Sequence, residues 1–173
     1  MAYVLQFWEQ PADLPMPSDI YAISELVDRL ADSAPGQNPL FIELAKRVTR
    51  RYPCILSEEG PGIPEEEWAT KWAWTDAPID GRCEDGVYGL GLNRNMLDEV
   101  RPFVIVEANA VGLNVMDDQA AEVHLADGTV ISPHPVAQCV KGLAAFHRGE
   151  YELAVAEFSR HAGLGNPSAQ YHS

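Results

Sequence analysis

The residue types best placed for chemistry are three carboxylates near the middle of the chain. Asp117 and Asp118 follow the extended-looking run Leu113-Asn114-Val115-Met116, and Glu122 comes four positions after Asp118. Oxygen donors gathered at a strand end are what a hard divalent cation takes. An Asp at such a place more often accepts backbone N–H groups of the following turn, and that is the expected role. The other reactive types do not converge. His124, His134, His147, His161 and His172 show no ligand spacing with one another or with Cys54, Cys83 and Cys139. Neither a Gly-x-Ser-x-Gly elbow nor a His-Glu-x-x-His helix occurs. Cys83 lies among acids, which disfavour its thiolate. Val87-Tyr88-Gly89-Leu90-Gly91-Leu92 has alternating glycines but lacks the third glycine, the following helix and the lysine of a phosphate loop. Arg47, Arg50 and Arg51 fall at an expected helix C-terminus, where they pair with the dipole more readily than with a bound anion. The expectation is of no catalytic residue, no metal and no cofactor.

Charge is the strongest compositional signal. The 173 residues carry a formal charge of −14, and residues 54–133 hold sixteen acids against four bases, or −12 of that total. Such a field repels nucleic acid and anionic membrane and attracts cationic partners. It concentrates in residues 57–86, where Glu58, Glu59, Glu65, Glu66, Glu67, Asp76, Asp80, Glu84 and Asp85 surround Trp68, Trp72 and Trp74. Aromatic anchors supply much of the energy of protein interfaces, and charge steers the encounter. The nine acids with Trp68 and Trp72 are therefore the expected partner-binding residues, and at least one tryptophan is expected in the core. The competing reading puts the tryptophans in the core and the acids on an ordinary loop.

The elements that must hold these residues follow from periodicity. Leu97, Val100, Val104, Ala108 and Val111 share one helical face over 97–111, and Gly112 suits a left-handed helix end. Pro102 interrupts that stripe and predicts a kink. Helices are expected near 18–32, capped by Ser18, and near 38–51, where Asn38 caps and Pro39 opens the first turn. Strands are expected near 3–8, 71–76, 87–92, 113–116, 122–125 and 129–131, with Asp127-Gly128 turning the last hairpin. Ser132-Pro133-His134-Pro135 marks a boundary, after which 136–148 and 151–162 read as two helices. The expected fold is α+β: a mixed or antiparallel sheet covered by helices over residues 1–132, with an appended helical hairpin in 133–173. No run of eighteen apolar residues occurs to span a membrane. The N-terminal residues lack the basic lead of a signal peptide, and three scattered cysteines fit a reducing cytoplasm.

Two resemblances add to this. Gly149-x-Tyr151-x-x-Ala154-x-x-x-Phe158-x-x-x-Ala162, followed by Gly165-Asn166-x-x-Ala169-Gln170, resembles one tetratricopeptide-like repeat of the Sel-one type. Such arrays usually need three or more repeats to stand alone, so this one is expected to pack on the main domain. The N-terminal strand Ala2–Trp8, the helical midsection ending before Tyr52-Pro53, and Gly112-Leu113-Asn114-Val115-Met116-Asp117-Asp118-Gln119 together resemble immunity proteins of contact-dependent and type VI secretion toxins. The family often has a tyrosine where Met116 stands. This resemblance implies a cytoplasmic binding protein that occludes a secreted toxin, such as a nuclease, without catalysis. The alternatives are a repeat-bearing scaffold or adaptor and, more remotely, a carboxylate-dependent metal enzyme at Asp117, Asp118 and Glu122.

Overall fold

The computed structural model describes residues 2–55 and 62–133. The fold is α+β. Strand β1 is Tyr3–Trp8, and helices α1 and α2 are Ile20–Ala31 and Pro39–Arg51. A single 3-10 turn, Glu65–Glu67, leads into the short helix α3, Trp68–Lys71. Strand β2, Tyr88–Leu92, precedes a second 3-10 turn, Arg94–Met96, and helix α4, Leu97–Val111. Strands β3 (Asn114–Asp117), β4 (Glu122–His124) and β5 (Val130–Ile131) follow. The five strands form one antiparallel sheet in the order β2-β1-β3-β4-β5.

Register fixes which side chains meet. Tyr3 stands opposite Leu92 and Phe7 opposite Tyr88, while Phe7 also faces Val115 across β3. Strand alternation then sets Tyr3, Leu5, Phe7, Leu90, Val115 and Asp117 on one face. Helix α2 covers that face with Phe41, Leu44, Ala45 and Val48, and α4 with Val100, Val104 and Ala108, all buried in one core with Trp74. The phenylalanine, leucine and valine side chains among these each contribute roughly 1.5–3 kcal/mol by leaving water. Phe41 stacks on Tyr88 with ring centroids 5.6 Å apart. On the opposite face, Met116 and Val123 are paired across β3 and β4 and are also buried.

Local signals explain the boundaries. Asn38 accepts the Leu40 N–H at 2.9 Å and Pro39 opens α2. Gly112 ends α4 in the left-handed region, at φ 96°. Asp127 accepts the Thr129 N–H at 2.8 Å and Gly128 takes φ 91°, turning β4 into β5. Pro102 sits inside α4.

Several expectations are corrected. Asp19, not Ser18, caps α1, accepting N–H groups of Tyr21 and Ala22 at 3.0 and 3.1 Å. Residues 71–76 are not a strand: only Trp74 bridges to Leu92. The Asn93 amide explains this, donating to the carbonyls of Trp68, Ala69 and Trp72 and holding the chain in the helical turn of α3. The helical hairpin expected at 136–148 and 151–162 lies outside the described residues.

Candidate functional site

The acidic segment is held at two different places. Its first stretch begins with Glu65 and Glu66, both exposed, and Glu67, which bonds Lys71 at 2.6 Å. Trp68 and Trp72 follow, half-buried, one helical turn apart. Their rings lie 5.9 Å apart at 50°. The Trp68 indole N–H donates to the Ile63 carbonyl at 3.2 Å, whereas the buried Trp72 Nε1 has no hydrogen-bond partner among the described residues. Asn93 and Asn95 anchor this stretch from below, Asn95 donating to the Ala69 carbonyl at 2.8 Å. Trp74, two residues on, is a core residue whose indole donates to the Tyr52 carbonyl at 2.7 Å.

The second stretch packs against the α1–α2 connection. Gln37 donates to the Gly81 carbonyl at 2.9 Å and accepts the Cys83 N–H at 3.2 Å. Gly36 donates to the Glu84 carbonyl, and Gly86 to the Leu30 carbonyl. Gly81 is obligatory: it takes φ +72°, and a side chain there would run into the Phe41 carbonyl. Asp76, Asp80, Glu84 and Asp85 are all exposed around this anchored backbone. Asp80 accepts the Arg82 N–H at 2.9 Å. Glu58 and Glu59 lie outside the described residues. Thus the structure presents exposed carboxylates on rigidly tethered backbone, in two anchored stretches. Neither anchor was apparent in the sequence, because Gln37 and Asn93 act across tens of residues.

Asp117 has a different role. It is completely buried, and Tyr3 Oη lies 2.7 and 2.8 Å from its two oxygens. Arg101 donates to it through Nε at 2.5 Å and reaches Glu122 through Nη2 at 2.6 Å. Ala120 donates its N–H to Asp117 at 3.0 Å, the turn-capping role expected for this residue. Burial works against the Arg101 charge, but the bonds to Asp117 and Glu122 more than offset it and hold its pKa above the ordinary guanidinium value. A fixed guanidinium therefore stands where a metal would bridge Asp117 and Glu122. Among the described residues, no group of three or more His, Cys, Asp or Glu side chains is arranged to hold a metal. The cluster ties α4 to β1, β3 and β4. Sequence reasoning missed Tyr3 and Arg101, since Tyr3 meets Asp117 from 114 positions away.

Among the described residues no helix is long and apolar enough to cross a membrane. No protein-family model, curated protein or solved structure matches this chain.

Proposed function

We propose that this chain is a cytoplasmic immunity protein that neutralises a secreted bacterial toxin with a basic surface by covering it, making and breaking no bond. The observation carrying this reading is the pairing, at one tethered site, of exposed Glu65 and Glu66 with half-buried Trp68 and Trp72. Exposed carboxylates raise the rate of encounter with a cationic surface, and indoles that need little reordering supply contact area after it. Asp76, Asp80, Glu84 and Asp85 extend the negative field beyond that site. The resemblance of Ala2–Trp8 and Gly112–Gln119 to the immunity family supports the same reading.

The test begins with affinity capture from the native host and mass spectrometry of what is retained. A captured toxin is then co-expressed with the chain. Neutralisation is expected, and Glu65→Lys with Glu66→Lys should slow association at least about tenfold and flatten its salt dependence. Trp68→Ala should chiefly speed dissociation. Loss of capture on removing residues 134–173 alone, with no toxin among the retained proteins, would instead favour an adaptor.

A further inference from the structure

We infer that the Trp68–Trp72 pair receives an arginine of the partner polypeptide, its guanidinium lying on indole carbon while the Glu65 carboxylate takes its N–H fork. This names the partner group at the site already described, and it rests on reading that site as partner-binding.

Spacing puts the three side chains on one face. Glu65–Glu67 is a 3-10 turn, in which residues three apart eclipse, so Glu65 stands over Trp68. Trp72 follows four positions later on the same face, and the two indole rings meet at 5.9 Å. Glu66, one position off that face, adds a second exposed carboxylate. Neither carboxylate forms an ion pair or hydrogen bond with the described residues. The cations of the adjoining elements are turned elsewhere. Lys71 is held by Glu67 at 2.6 Å, and Arg94, in the 3-10 turn packed on α3, is seated over the Tyr3 ring at 5.9 Å.

The exposed part of the indoles selects the ligand. The Trp68 N–H is spent on the Ile63 carbonyl, and the Trp72 Nε1 is buried. The pair therefore shows solvent its ring carbon and no free donor for a carbonyl, sugar hydroxyl or phosphate. Tryptophan is the best aromatic seat for a cation. Among the described residues, however, the cation–ring contacts fall on Tyr52, Phe103 and Tyr3, and none on Trp68 or Trp72. A planar guanidinium can lie on an indole and still meet a carboxylate in its own plane through two parallel N–H bonds. A lysine ammonium is a compact, strongly hydrated charge that matches neither surface so closely. The site thus distinguishes arginine from lysine, which net charge alone does not. Asn93 and Asn95 already fix the turn through the Ala69 carbonyl, so little ordering remains to be done on contact.

The test uses the full chain and two fluorescently labelled peptides of equal length, Arg–Gly–Ser and Lys–Gly–Ser repeats, followed by anisotropy at low salt. The arginine peptide should bind about fivefold more tightly than the lysine peptide. Trp68→Leu, which keeps an apolar side chain but removes the ring, and Glu65→Gln should each remove most of that preference. Glu25→Gln, the same change of charge at an exposed position on α1, should leave it unaltered. The Glu65 carboxylate holds no other group, so its variant reads recognition even where Trp68→Leu disturbs α3. Equal affinity for the two peptides, no saturable binding of either, or a preference that neither variant lowers would overturn the inference. Equal affinity would leave the immunity reading standing, since a toxin can be basic through lysine. Failure to capture a toxin would remove that reading and leave a measured arginine preference in place.

Discussion

Asp117 is a carboxylate with no exposure to water, and its charge is tolerated only because Arg101, Tyr3 and the Ala120 N–H converge on it. Removing one member of a buried ion pair leaves the other charge uncompensated, which costs more than the pair itself contributes. Arg101→Ala should therefore destabilise the chain by about 3 kcal/mol in urea unfolding. Adding Asp117→Asn should recover part of that loss, because the amide needs no counter-charge and its oxygen still accepts from Tyr3 and Ala120. A double variant no more stable than Arg101→Ala would contradict this account. The phenols make a second prediction. Burial, reinforced by Asp117, pushes the Tyr3 hydroxyl up from 10.0 to about 12, and burial with Glu99 does the same at Tyr52. At Tyr88 burial again dominates; the Gly81 N–H opposes it, Asp80 adds to it, and the value is also about 12. The folded state thus keeps protons that the unfolded chain releases near pH 10. Their stabilisation is intact below pH 10 and is lost as pH rises to about 12. Urea midpoints measured across that window should fall, and Tyr88→Phe should reduce the slope.

Elements whose signals are local follow their sequence patterns closely. The stripe Phe41, Leu44, Ala45 and Val48 faces the core, with Asn38 and Pro39 at the start of α2. The α4 helix likewise spans Leu97–Val111 and stops at Gly112. The start of α1 shows how narrow such a signal is. Ser18 and Asp19 are both good caps by type, and only backbone geometry selects Asp19, whose φ and ψ are −119° and 152°. Asp19→Ala should accordingly cost about 1 kcal/mol in thermal or urea unfolding. Ser18→Ala should stay within about 0.5 kcal/mol, and an equal loss at both positions would refute the assignment. Misreadings arise where distant residues decide. Trp72 and Trp74 alternate like strand residues, but Asn93, 21 positions beyond Trp72, takes the Trp68, Ala69 and Trp72 carbonyls and holds Trp72 at the end of α3. The candidate site divides along the same line. Its charge and tryptophans were legible because they are composition, whereas its tethers to Gln37, Asn93 and Asn95 are contacts that no local pattern encodes.

At the scale of the whole molecule, one field has two consequences of opposite sign. A chain with a formal charge of −14 repels itself when compact, and the sixteen acids of residues 54–133 lie close together in sequence. Compensation inside the fold is limited: Arg101 is committed to Asp117 and Glu122, and Lys71 to Glu67. Exposed Glu65, Glu66, Asp76, Glu84 and Asp85 form no ion pairs with the described residues. Salt shortens the reach of such charges, to about 10 Å at 0.1 M. It should therefore relieve self-repulsion and raise the melting temperature of the free chain between low salt and about 0.3 M sodium chloride. The same screening should slow association with a basic partner, because long-range attraction governs the encounter. Glu65→Lys with Glu66→Lys should diminish both effects together, since the same unpaired carboxylates give rise to each. A melting temperature that rises with salt while association stays constant would separate the two, and would mean that this negative face is tuned for solubility and takes no part in recognition.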